Sequence, residues 1–221
     1  SPYNSLASLN YGGYFLYNGA WINQLYPARN ENPNLRWEKK YEYNVGVDFD
    51  MFGGRLGGAI DFYMRDTKDG LWDYSVSVPP YQYGSIMANV AEIRNIGLEL
   101  LINAIPVQTK DFEWSTNLSY STNKNELKSI SNDEFSMSTD WFTTGHTGEP
   151  IQTTTHRVKV GCPIGDFYGL KSVGLTTDGK WLVERFDENG KKFYDYANNA
   201  TEADWQILGN GVPTHYLNLN N

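Results

Sequence analysis

The chain has 221 residues, 15% of them aromatic, and its 26 acidic against 18 basic side chains give a formal charge of −8. That balance argues against a nucleic-acid surface, which needs clustered Lys and Arg to neutralise phosphates, so no nucleic-acid partner is expected. The single Cys162 excludes an internal disulfide framework and a paired-cysteine metal or redox site. A mean hydropathy of −0.55, with no apolar run approaching about 18 residues, excludes a transmembrane helix but not a membrane barrel, where only alternate residues face lipid. No charged-then-apolar leader opens the chain, so a secretion signal is expected upstream or already removed.

In chain order, the first legible strand is 36–51. Tyr41, Tyr43, Val45, Val47, Phe49 and Met51 alternate with Glu42, Asn44, Gly46, Asp48 and Asp50, so one face is oily and the other wet. After Phe52-Gly53-Gly54, whose glycines suit a hairpin turn, a second strand over 55–67 carries Leu56, Ile60, Phe62 and Met64 on one face. A third is expected over 93–105 (Ile96, Leu98, Leu100, Ile102 and Ala104 against Asn95, Gly97, Glu99 and Asn103). A fourth over 112–124 sets Phe112, Trp114, Leu118 and Tyr120 against Glu113, Ser115, Asn117 and Ser119. The connections alternate: short at 52–54, long and Pro/Tyr-rich at 66–92, short at 106–111, long and Ser/Thr-rich at 125–160. Beyond 161, Phe167 to Leu175 reads as a strand, Trp181–Phe186 and Lys192–Tyr196 flank an Asp187-Glu188-Asn189-Gly190 turn, and Leu217–Asn221 lies in another strand.

Antiparallel strands crossing a membrane have short turns at one end and long loops at the other, and about 11 residues tilted near 45° cross about 25 Å of hydrocarbon. The same strands also fit a soluble β-sandwich whose core holds the aromatics.

Seven fragments carry a resemblance. Asn32-Pro33-Asn34-Leu35-Arg36-Trp37-Glu38, Tyr43-Asn44-Val45-Gly46-Val47-Asp48-Phe49, Asp61-Phe62-Tyr63 with Thr67-Lys68-Asp69-Gly70-Leu71, and Asn95-Ile96-Gly97-Leu98-Glu99-Leu100 come first. Phe112-Glu113-Trp114 with Asn117 and Asn123-Lys124-Asn125, Gly161-Cys162-Pro163-Ile164-Gly165-Asp166-Phe167-Tyr168-Gly169 and Leu208-Gly209-Asn210-Gly211-Val212-Pro213 follow. In this order they resemble the signatures of SusC/RagA-like TonB-dependent outer-membrane transporters. The resemblance implies an all-β fold, antiparallel strands forming part of a large transmembrane β-barrel with long extracellular loops and short periplasmic turns. It makes residues 1–221 a segment of that barrel, with plug, early strands and final strands lying outside it. It also implies location in the cell outer membrane among its lipids, a SusD-like surface lipoprotein as partner, TonB acting through the plug, and an oligosaccharide or peptide as imported substrate. The rival reading is a soluble carbohydrate-binding sandwich.

Neither catalysis nor a cofactor is expected. His146, His156 and His215 lack metal-ligand spacing, and no nucleophile elbow or phosphate loop is present. Asp48 and Asp50, two apart on a strand's polar face, suit a solvated wall better than a glycosidase pair. The candidates for ligand or lid contact are the loop aromatics Trp72, Tyr74, Tyr81, Tyr83, Trp141 and Phe142, since sugar rings stack on flat apolar faces. Their alternative role is packing within the loops or against the lid.

Overall fold

A computed structural model describes Ser5, Leu6 and residues 8–221. Apart from two single-turn 3-10 helices, all regular structure is antiparallel β. The strands are β1 (Leu9–Tyr17), β2 (Ala20–Pro27), β3 (Lys39–Met51), β4 (Leu56–Ser75), β5 (Ser85–Gln108), β6 (Glu113–Ile130), β7 (Trp141–His146), β8 (Thr154–Lys159), β9 (Asp166–Gly169), β10 (Ser172–Leu175), β11 (Trp181–Phe186), β12 (Lys192–Tyr196), β13 (Gln206–Asn210) and β14 (His215–Asn220). They form four sheets: β1-β2, β10-β11-β12, β13-β9-β8-β7, and a five-stranded sheet ordered β14-β6-β5-β4-β3. Two compact units result, one from Ser1–Glu42, Arg65–Arg94 and Lys128–Ser138, the other from Tyr43–Met64, Asn95–Leu127 and Thr139–Asn221.

The oily parity of the large sheet is uncovered. Val45 is 70% exposed, Val47 63% and Leu217 71%, and Ile60, Phe62, Leu98, Trp114 and Leu219 are exposed with them. Register carries that face onto β14, where Leu217 lies opposite Tyr120 and Leu219 opposite Leu118. No second sheet of the described residues seals it, so the sandwich reading fails. An apolar face of this extent needs hydrocarbon or a partner against it.

The four main strands stand where their alternation places them, but the edges differ. β4 and β5 run 20 and 24 residues, well past the roughly 11 that cross a bilayer. The expected 66–92 link is therefore mostly strand, and the connection shrinks to 76–84. Beyond the lipid a strand no longer needs one oily face, so Arg65-Asp66-Thr67-Lys68-Asp69 loses the period-2 signal while keeping its ladder. β6 likewise continues to Ile130, and the expected 125–160 link contains β7 and β8. The expected strand at 167–175 is two short strands in different sheets, separated at Leu170-Lys171. The first strand begins at Lys39, three residues later than expected, because residues 30–36 are held by side-chain bonds instead. The β1-β2 hairpin, turned at Asn18-Gly19 with φ of 50° and 78°, is an element that alternation did not reveal: its large apolar residues occupy both faces.

In the first unit the small core consists of Tyr74, Ile86, Ala88, Val90 and Phe135, with Val76, Tyr81 and Met137 packed against it.

Candidate functional site

The family-like fragments act locally as hydrogen-bond clasps. In the first unit, Asn32 donates to the Met87 carbonyl (2.9 Å) and accepts from the Asn34 amide (3.0 Å). Asn89 accepts from the Arg36 amide (2.9 Å) and donates to the carbonyls of Arg36 (2.8 Å) and Asp69 (2.6 Å). The Arg36 guanidinium then meets the Asp69 carboxylate at 2.6 Å. That contact holds the Asp69 carboxyl below, and the Arg36 guanidinium above, their ordinary pKa values. The Asn-Pro-Asn-Leu-Arg run is thus a strap along the start of β5, and its buried amides satisfy backbone groups that no strand pairs.

In the second unit, Tyr63 of β4 reaches Asn123 of β6 (3.2 Å) across Gly97 of β5. A β-carbon at Gly97 would enter the Tyr63 ring, which is why that position takes glycine. Asn125 donates to Asn95 (2.8 Å) and accepts from the Ile164 amide (3.0 Å). Asn210 donates to Asp166 (2.8 Å) and accepts from the Val212 amide (2.7 Å). Leu127 and the Gly161-Cys162 turn exchange backbone bonds of 2.8 and 3.0 Å, so Cys162 serves there as backbone. The wet parity of β4, β5, β6 and β14 borders a groove of about 590 Å³ where Asp61, Glu99, Ser119, Ser121 and Asn218 stand among Leu100, Leu101, Tyr120, Tyr216 and Leu217. Such a surface solvates polar solutes and presents hydroxyl, amide and carboxylate partners to them.

β6 and β14 are neighbours, with Thr122 opposite His215 and the Asn123 amide bonded to the Thr214 carbonyl (3.1 Å). Residues between them leave and return at adjacent points of the wall as one long excursion carrying β7 to β13. Its three-stranded meander is locked by charge. Glu184, with a side chain 3% exposed, sits 3.0 Å from Lys192 and 3.4 Å from Lys171, while Arg185 bridges Asp195 (2.9 Å) and Asp204 (3.1 Å). The Lys192 contact lowers the Glu184 pKa, and the Thr201 and Phe186 amides together with Arg185 lower that of Asp204.

The six aromatics singled out by sequence fall into two groups. Tyr74, 7% exposed, lies in the first unit's core with its ring 5.3 Å from Phe135, and Tyr81 packs against that core. The Tyr83 hydroxyl donates to the Pro27 carbonyl, and Trp72 is partly exposed on β4. Near Tyr81, a recess of about 380 Å³ is lined by Pro27, Arg29, Asn30, Glu31, Pro80 and Gln82. In the second unit Trp141 and Phe142 start β7, with Trp141 opposite Lys159 and Phe142 opposite Val158. Trp141 joins a cluster that sequence reasoning did not assemble: its ring lies 6.4 Å from Tyr168, Tyr168 lies 5.5 Å from Trp205, and the Arg157 guanidinium stacks 4.4 Å over Tyr168. These residues are distant in sequence and only the register of β7, β8, β9 and β13 brings them together.

Among the described residues no group of three His, Cys, Asp or Glu is placed to hold a metal ion. His215 pairs with the Tyr120 hydroxyl (2.8 Å) and His156 with Thr155 (2.8 Å). The Asp187 turn is an ordinary one, its carboxylate accepting from the Asn189 (2.9 Å) and Lys191 (2.8 Å) amides.

An uncovered oily face, a wet opposite face, short turns at one end and a long excursion at the other define a section of membrane β-barrel wall. The sequence model of the family described as "TonB dependent receptor-like, beta-barrel" matches residues 3–220, and the chain belongs to that family. It is 29% identical to TonB-dependent receptor P3 of Formosa agariphila over 100% of this chain and 22% of the relative. It is 32% identical to TonB-dependent receptor SusC of Bacteroides thetaiotaomicron over 77% of this chain and 16% of the relative. Among solved structures, the RagAB peptide transporter matches with a TM-score of 0.75 at 21% identity, covering 98% of this chain and 22% of that one. The RagAB peptide importer in its "open-open" state matches with a TM-score of 0.76 at 20% identity, covering 97% and 22%. The chain therefore spans about a fifth of the length of the relatives it matches. The wall lies in the outer membrane.

Proposed function

We propose that this chain is the wall and outer-loop section of a TonB-dependent transporter that imports oligosaccharides across the outer membrane without converting them. TonB acts on the plug region of the full receptor, and a surface lipoprotein of the SusD type lids its extracellular side. The observation that carries this reading is the two-faced sheet, oily towards lipid and lined inwardly by Asp61, Glu99, Ser119, Ser121 and Asn218. The resemblance of the seven sequence fragments to SusC/RagA-like transporters is what supports the lipoprotein partnership and a glycan cargo. The likeness to a peptide importer makes peptide the competing cargo, so the test must separate the two.

Deletion of the full receptor gene in its own bacterium is expected to abolish growth on oligosaccharides supplied as sole carbon source, as a tonB deletion would, while growth on the component monosaccharides is retained. Intact growth on every oligosaccharide, with lost growth on peptides, would replace the glycan reading by the peptide one.

A further inference from the structure

We propose that Arg157 is the anion-binding anchor of an extracellular subsite for uronate-bearing oligosaccharides, an inference that rests on the import reading and specifies its cargo. The chain has seven arginines. Six give their guanidinium to oxygen: Arg29 to Leu6, Arg36 to Asp69, Arg55 to Ile105, Arg65 to Glu42, Arg94 to Asp66, and Arg185 to Asp195 and Asp204. Arg157 alone has no acceptor among the described residues, and its Nε is shut away from water without one. Its cross-strand neighbour Asp166 is turned to Asn210 at 2.8 Å. Lys159, two residues along the same face, keeps only a loose 3.7 Å contact with the exposed Asp140.

The guanidinium is nonetheless fixed in place, stacked 4.4 Å over Tyr168. A planar fork held on an aromatic face, with its donors unspent, is preorganised for a carboxylate, which it grips through two parallel hydrogen bonds. The surroundings choose the rest of the ligand. Trp141 and Trp205 flank Tyr168 and offer flat apolar surface on which a sugar ring can lie. A uronic acid carries both features on one ring: a C–H face to lie on the aromatics and a carboxylate at its rim to meet Arg157. A neutral sugar offers the guanidinium only single hydroxyl acceptors, without the charge or the paired oxygens of a carboxylate.

The test uses the purified full-length receptor in detergent and isothermal titration with trigalacturonate, a glucuronate-containing tetrasaccharide, their carboxyl-reduced counterparts and tetraglutamate. The wild type is expected to prefer a uronate probe over its reduced counterpart, and Arg157→Gln to weaken that binding by about tenfold or more. Arg157→Lys, which keeps the charge but not the fork, is expected to recover only part of the loss, and binding of the reduced probes should not change. Heat-modifiable gel mobility checks the fold of both variants. Equal binding of acidic and reduced probes, acidic binding indifferent to both substitutions, or Arg157-dependent binding of tetraglutamate with neither uronate overturns the proposal. TonB-dependent uptake of a neutral oligosaccharide, with no preference for acids, would overturn it while leaving the import reading intact. Arg157-dependent uronate binding without any uptake would do the reverse.

Discussion

Asn89 shows what a single amide can hold together. Buried, it accepts from one backbone amide and donates to two carbonyls, tying the Arg36 strap and the Asp69 turn of the strand to β5. Asn89→Asp keeps the shape but turns a donor into an acceptor against two carbonyl oxygens. It is expected to cost about 2–3 kcal/mol, since an unsatisfied buried group forfeits about 1–3, read as a lower urea midpoint for the full receptor in micelles. Asn89→Leu, which removes all three bonds, should do no better. A midpoint unchanged in both would mean the strap is held by packing alone. The ion pairs of the meander make a separate prediction about acid. Glu184, Asp195 and Asp204 have lowered carboxyl pKa values in the folded state, through the Lys192 contact, the Asn199 amide, and the Thr201 amide respectively. Because the folded values lie below the unfolded ones, near 4, the stabilisation is complete at neutral pH. It is lost as pH falls below about 4 and through the folded values. Hydrogen exchange of peptides covering 181–206, corrected for its intrinsic pH dependence, should show protection constant from pH 7 to 5 and falling below 4. Protection rising on acidification would refute the sign.

At the scale of the element, strand parity is the testable property. Val45 and Asn44 are adjacent on β3 and both exposed, so solvent accessibility alone does not distinguish them. Lipid does. Val45→Arg on the oily parity should cost about 2–4 kcal/mol if it lies near the midplane, whereas a lumen-side charge is tolerated. Asn44→Arg should stay within about 1 kcal/mol. Refolding of the full receptor into lipid vesicles, with folded fraction read by gel mobility against urea, gives both numbers from one assay. Similar costs for the two would mean that lipid does not wet one face selectively. Glycine has a matching element-scale role: Tyr63 can cross β5 to Asn123 only because Gly97 has no side chain.

For the whole molecule, legibility followed the solvent. Where lipid bounds one face, as along Tyr41–Met51 and Leu56–Met64, alternation reported both strand and orientation. Where the same strand runs on past that stretch, as in Asp66–Gly70, both faces became polar and the strand continued without a sequence signal. The Trp181–Phe186 and Lys192–Tyr196 hairpin was readable because its Asn-Gly turn is local. The Arg157, Tyr168, Trp141 and Trp205 cluster was not, because it depends on the register of four strands. Trp141 was singled out as a loop aromatic, but Arg157 was not, since an arginine's lack of an acceptor is invisible until every neighbour is placed.

The path of the chain also makes the wall and the excursion separable. Asn123 and Thr214 are bonded backbone to backbone, so a tight turn can join β6 to β14 at that point. Replacing 124–213 by a two-residue Asn-Gly turn, which favours the twist of a tight hairpin, is expected to leave the full receptor folded in the outer membrane and heat-modifiable on gels. Some stability should be lost, because the replacement also removes the Asn125 bond to Asn95, the Asn132 bond to the Asn89 carbonyl, and Phe135 and Met137 from the first unit's core. Binding that depends on Arg157 should vanish with the excursion. A shortened receptor that fails to insert, even at low temperature and with a longer Gly-rich linker, would mean that the excursion organises the β6-β14 seam and is not simply carried by it.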